Sequence, residues 1–91
     1  NKGELEVENN FVGIGFKSLI NASRIIAVVN PDSAPVKRII SDAREKGTLV
    51  DATYGRKTRS VIIMDSGHVV LSLIGSDTIG SRLNFKDVEE Q

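Results

Sequence analysis

Ile25-Ile-Ala-Val-Val29-Asn-Pro-Asp-Ser33-Ala-Pro-Val-Lys-Arg-Ile-Ile-Ser-Asp-Ala-Arg-Glu-Lys-Gly47 decides the fold class. Its first five residues, mostly β-branched, read as a buried strand. Asn30 and Pro31 stop that strand. Asp32 or Ser33 is placed to cap a helix, with Pro35 in the first turn, where a missing N–H does no harm. Val36, Ile39, Ile40 and Ala43 recur at helical spacing and form one apolar face. Lys37, Arg38, Asp42, Arg44 and Lys46 fill the rest, and Gly47 ends the helix as a left-handed cap. A strand that turns directly into an amphipathic helix makes this a mixed α and β domain.

Strand signals surround that core. Phe11-Val-Gly-Ile-Gly-Phe16 is a short strand whose glycines mark a bulge or a close backbone approach. Leu19 and Ile20 lead into Asn21-Ala-Ser-Arg24, a bend. After Gly47, strands are expected at Leu49–Thr53, Val61–Asp65 and His68–Ile74, with Ser66-Gly67 as a two-residue hairpin turn. Residues 75–83 read as a short helix, capped by Ser76 or Asp77, with Ile79 and Leu83 facing inward. The order is β-β-α-β-β-β-α, an α+β domain with a small, largely antiparallel sheet.

Ninety-one residues make one domain with a modest core. The 40% apolar and 26% charged content is ordinary for a globular chain. Cysteine is absent, which rules out disulfides, thiolate metal sites and a cysteine nucleophile. The apolar runs are too short to span a bilayer and no signal-peptide pattern opens the chain, so a cytoplasmic location is expected. The net charge is zero, but it is unevenly spread. Residues 11–83 carry ten Lys and Arg against six Asp and Glu, a net of +4, between acidic tails at 1–10 and 84–91.

Three of those cations stand together in Asp51-Ala-Thr-Tyr-Gly-Arg-Lys-Thr-Arg59. Arg56, Lys57 and Arg59 occupy a polar break between two strands, just after Tyr54 and Gly55. A basic hairpin tip beside an aromatic ring is a plausible phosphate reader, and charged loops also serve simply to keep sheets soluble and unpaired. Catalytic chemistry is sparse. His68 is the sole histidine and stands beside a turn. Asp51 and Asp65 are expected on neighbouring strands, where they accept hydrogen bonds or pair with nearby cations. Nothing assembles a nucleophile, a base and an electrophilic stabiliser. No enzyme, cofactor, metal or small-molecule substrate is expected.

The strands alternate poorly. Val61–Met64 and Val69–Ile74 place apolar residues on both faces, while one amphipathic helix covers only one. Another subunit would cover the second face, so an obligate homo-oligomer is expected. The alternative is that the C-terminal helix and Phe11, Phe16 and Leu19 fold over it.

Several stretches resemble the RemA family, the bacterial extracellular matrix regulatory proteins. They are Phe11-Val-Gly-Ile-Gly-Phe16, Asn21-Ala-Ser-Arg-Ile-Ile26, Pro31-Asp-Ser-Ala-Pro-Val-Lys-Arg38, Asp42-Ala-Arg44 and Asp51–Arg59, continued by Val61–Ser66 and His68–Ser72. The likeness covers residues 11–83. It implies a ring-shaped homo-oligomer that binds double-stranded DNA at the nucleoid and activates biofilm-matrix genes. The family's DNA-contacting positions match Arg24, Arg56 and Lys57, to which the neighbouring cation Arg59 is added here. The family pattern has a second Arg where this chain has Lys57. Lys keeps the charge but lacks the planar fork for bidentate contact. An RNA-binding ring and a purely structural oligomer are the other readings.

Overall fold

The computed structural model describes residues 10–83. Residues 1–9 and 84–91, which hold the expected acidic tails, lie outside the described residues. The elements are β1 (Phe11–Gly15), β2 (Ser18–Asn21), a 3-10 turn (Ala22–Arg24), β3 (Ile25–Val29), α1 (Ala34–Lys46), β4 (Leu49–Asp51), β5 (Ser60–Met64), β6 (Val69–Ser72) and α2 (Ser76–Arg82).

The strand-to-helix transition forms as its residues dictate. Ser33 caps α1, accepting from the Val36 N–H, with Pro in the first turn. Gly47 closes the helix at φ 78°, a conformation that glycine adopts without penalty. At α2 the expected side-chain cap is missing. Gly75 holds the cap position and no side chain bonds there.

β3, β5, β6 and β4 form one sheet in that order, and β1 pairs with β2 in a separate hairpin. β3–β5 and β5–β6 are antiparallel, while β4 joins β6 in parallel. The expected sheet is therefore mixed at its β4 edge. The short β4 is reached by way of α1 and ends at Asp51, two residues earlier than expected. β6 separates β4 from β5, so the basic stretch between them is a crossover loop and not a hairpin tip. For the same reason Asp51 and Asp65 do not lie on neighbouring strands. The β5–β6 connection also differs from a two-residue turn. The Gly67 N–H donates to the Met64 carbonyl, and Met64 N–H donates to His68 O, with Gly67 at φ 93°. That is a three-residue loop, Asp65–Gly67, whose left-handed glycine restores the strand register.

The central strands are apolar on both faces because both faces are covered. On one side Val61, Val69 and Leu71 pack with Val36 and Ala43 of α1, flanked by half-buried Ile39 and Ile40. On the other, Ile62 and Val70 pack with Ile14 of β1 and Ile79 of α2, flanked by Ile20 and Leu83. The β1–β2 hairpin and α2 thus cover the second face within one chain, and the argument for a partner from a bare face falls. Phe11, Phe16 and Leu19 are not part of that cover and remain exposed. Polar groups tie the layer down. The buried Ser72 hydroxyl donates to the Ile14 carbonyl at 2.9 Å, and an Arg82 Nη1 donates to the Gly13 carbonyl at 2.9 Å. The register of β1 shifts between Gly13 and Gly15, and a Cβ on Gly15 would stand 3.0 Å from Leu73. The glycine pair is both a bulge and a close approach.

Candidate nucleic-acid interface

Loop 52–59 is exposed at its centre and anchored at both ends. Ala52 N–H donates to the Leu71 carbonyl at 2.9 Å, and Arg59 N–H donates to the Ser72 carbonyl at 2.8 Å. The N-terminal anchor is reinforced by Asp51. Its Oδ1 accepts from the Thr53 N–H at 2.9 Å and from the Thr53 hydroxyl at 2.6 Å. The hydroxyl bond and then the amide bond hold the Asp51 carboxyl below its ordinary 3.8. Desolvation opposes this and Arg44 adds a further lowering. Thr53 is buried while Tyr54, Gly55, Arg56, Lys57 and Arg59 are all exposed.

Two turns of the same unusual kind meet here. Arg56 N–H donates to the Thr53 carbonyl at 3.0 Å, and both central residues, Tyr54 and Gly55, have positive φ, 56° and 82°. In the β1–β2 hairpin, Gly15 pairs with Ser18, and the two central residues Phe16 and Lys17 have φ 50° and 62°. Two-residue loops of this hand prefer Asn-Gly, since both residues must enter the left-handed region. Phe16, Lys17 and Tyr54 enter it as ordinary L-residues. Their rings meet. The Phe16 and Tyr54 centroids are 4.8 Å apart at an interplanar angle of 59°. The Arg56 guanidinium carbon sits 5.3 Å from the Phe16 centroid, within cation–π range. Phe16 and Lys17 were not singled out as site residues in the sequence. The only sign was the polar break at Lys17-Ser18 inside the apolar run Phe11–Ile20, and it carries no Asn or Gly.

Lys57 and Arg59 face the other way. With Thr58 they line a polar cleft of about 220 Å³, opposite Asn30, Pro31 and Asp32 and the start of α2 at Gly75–Asp77. Arg24 is remote from all of them. It lies just before β3, and its Nε–H donates to both Asp65 oxygens, at 3.0 and 3.1 Å. Asp65 follows the far end of β5 and Arg59 precedes its start, so the path along that strand, about 20 Å, separates Arg24 from Arg59. The family resemblance groups Arg24 with Arg56 and Lys57 as DNA-contacting positions. Within one chain Arg24 stands at the opposite end of the sheet. Asp65 is engaged by Arg24 and Asp51 by Thr53, not by Arg59. The Arg24–Asp65 pair is the only ion pair among the described residues.

Other chemistry is thin. Ser66 Oγ and His68 Nδ1 are 2.6 Å apart on an exposed loop. Among the described residues no three His, Asp or Glu side chains gather as metal ligands, and no helix is long and apolar enough to cross a membrane.

The fold and its exposed basic loop define a small α+β domain built to present cations on an ordered turn. The sequence pattern of the RemA-like family, extracellular matrix regulatory protein A-like, matches residues 11–83. The chain belongs to that family. It is 56% identical over 85 residues to a "Putative regulatory protein" of Carboxydothermus hydrogenoformans, covering 93% of this chain and 98% of that one. A protein of the same description from Symbiobacterium thermophilum is 58% identical over 80 residues, 88% of this chain and 84% of its own. One from Synechococcus is 59% identical over 76 residues, 84% and 85% of the two chains.

Proposed function

We propose that this protein is a transcriptional regulator that binds double-stranded DNA as a homo-oligomeric ring, through cations repeated around its rim. The observation that supports this best is the basic loop. Arg56, Lys57 and Arg59 stand exposed on a segment fixed at both ends by backbone hydrogen bonds, and none of them belongs to an ion pair among the described residues. Cations on an anchored backbone, with no acidic partner among the described residues, suit an external polyanion, because part of the ordering cost of the loop is already met. Family membership and the regulatory names of its relatives agree with the reading.

The ring rests on surface that one chain leaves open. β3 and β4 are the two sheet edges. Ile26, at a register irregularity in β3, is 65% exposed, beside a groove of about 810 Å³ between β3 and α2. Val50 is exposed on β4, and Phe11 and Leu19 on the hairpin. The two edges differ, so a contact between them is heterologous and repeats head to tail until it closes. A few phosphate contacts per subunit bind weakly, and repetition raises affinity through effective concentration.

The test is a titration of labelled duplex DNA, single-stranded RNA and heparin against the parent and against Arg56→Ala/Lys57→Ala. Duplex preference in the parent and its loss in the double variant, with the assembly mass unchanged, are expected. Duplex binding as tight in the variant as in the parent would place the DNA surface elsewhere.

A further inference from the structure

We infer that the interface extends beyond the cations. The tip of the β1–β2 hairpin joins it, with Lys17 as a further phosphate contact and Tyr54, backed by Phe16, packed against the sugar–base wall of duplex DNA beside the phosphate held by Arg56. This rests on the DNA-binding reading above and gives it a mode of contact.

Three observations carry it. The first is strain where none is needed. A left-handed L-residue is disfavoured by roughly 1–2 kcal/mol, and Phe16, Lys17 and Tyr54 all adopt that conformation. Asn-Gly would build either turn without it. Strain of this kind persists where the surroundings enforce it and clusters at functional sites. The second is exposure. Phe16 is 49% and Tyr54 66% exposed, large rings raised on turns instead of folded into the layer beneath them. The third is company. The rings touch each other, and Arg56 lies over Phe16. Lys17 follows Phe16 in the same turn, and the nearest acid along the loop, Asp51, is turned to Thr53.

The arrangement divides the work. Phe16 is contacted by Tyr54 and by the guanidinium, so it is a support that limits where Arg56 points. Tyr54 is the more open of the two rings, one apolar surface flanked by cations. A ring placed like this beside a phosphate meets deoxyribose and the rim of a base, as apolar wedges do at bent duplexes. Proteins that track unpaired strands line up aromatics for successive bases. One open ring per subunit fits a duplex better than a strand of exposed bases.

The charged and apolar members have different signatures, so the experiment separates them. Tyr54 is the sole tyrosine and the chain has no tryptophan, so intrinsic fluorescence reports the site directly in the unmodified protein. Duplex DNA is expected to quench Tyr54, while heparin, which engages cations and has no bases, leaves its emission unchanged. Tyr54→Ala is expected to weaken duplex binding by about tenfold or more, the range of one aromatic contact, with the salt slope retained. Tyr54→Phe, which keeps the ring, should restore most of it, and an unchanged circular-dichroism spectrum and thermal midpoint of Tyr54→Ala are expected, which a loss through misfolding would not give. Lys17→Ala should lower the slope of log affinity against log salt by about 0.9 for each copy that touches DNA. If the parent binds no duplex, the DNA-binding reading itself falls. If the parent binds, Arg56 and Lys57 matter, and yet Tyr54→Ala and Lys17→Ala bind as the parent does with emission unmoved, only the hairpin-tip contact is overturned. Quenching by a single-stranded oligonucleotide that outcompetes the duplex overturns it too, in favour of unpaired bases.

Discussion

Asp51 shows how one exposed carboxylate shapes the loop that follows it. It accepts two hydrogen bonds from Thr53, and these bonds favour the ionised form. The folded-state value is therefore below the unfolded 3.8. The stabilisation is complete above the unfolded value and is lost as pH falls through the folded one, so it disappears only below about pH 3.8. Asp51→Asn should leave stability at pH 7 lower than in the parent, and the difference should shrink in an acid titration below pH 4 followed by circular dichroism. A gap between parent and variant that stays constant down to pH 2 would show that the carboxylate charge plays no part. Arg24 and Asp65 offer a contrast. Both oxygens of Asp65 are taken by the guanidinium Nε–H, yet both side chains are about half exposed, 56% and 47%. Such a pair adds less than about 1 kcal/mol. Asp65→Asn should therefore barely change the thermal midpoint.

The elements divide cleanly into those written in the sequence and those decided by tertiary contacts. α1 was legible because capping, periodicity and the terminal glycine agree over residues 33–47. β3, β5 and β6 were legible as β-branched runs. β2 was not, since Ser18–Asn21 is short and its turn breaks the usual chemistry, with Phe16 and Lys17 where Asn and Gly belong. The parallel placement of β4 was also hidden. Three residues carry no record of which neighbour they will pair with, and the crossover through α1 determines it. Of the site, the cations were visible from composition, but their divergence was not, because it depends on the turn at Tyr54-Gly55. These elements make testable demands. Ile79 is fully buried between β1 and the sheet, so Ile79→Ala should cost about 2–5 kcal/mol in chemical denaturation. Ile40 is only half-buried against α1's side of the sheet, and Ile40→Ala should cost less than Ile79→Ala. The reverse order would mean that α2 does not cover the second face. Lys17→Gly relieves a left-handed L-residue and should raise stability by up to about 1 kcal/mol. A loss of stability there would show that Lys17 contributes packing beyond its backbone.

In the proposed ring, the question is whether the proposed DNA affinity would come from the loop or from its repetition, and the open β3 edge is where the two can be separated. Ile26 lies at a register irregularity, is 65% exposed and borders the groove between β3 and α2. A bulge twists an edge away from ladder pairing, so a neighbour seated here would be held by side-chain packing more than by added strand hydrogen bonds. Ile26→Lys should then leave the monomer fold intact, since Ile26 belongs to neither core cluster. It should reduce the mass measured by light scattering to a single subunit. Every cation of the basic loop would still be present, yet duplex affinity should fall by about a hundredfold or more, because linked sites exceed single ones by that order. The salt slope should drop as well, to the few phosphates that one subunit touches, at about 0.9 for each. Arg56→Ala/Lys57→Ala should give the opposite combination, an intact assembly with the affinity gone. The two variants thus report contact and repetition independently. If Ile26→Lys remains a multi-subunit species with its DNA binding undiminished, the subunit contact does not use the β3 edge. If it becomes monomeric and still binds duplex DNA as tightly as the parent, the basic loop acts alone and the ring contributes nothing to recognition.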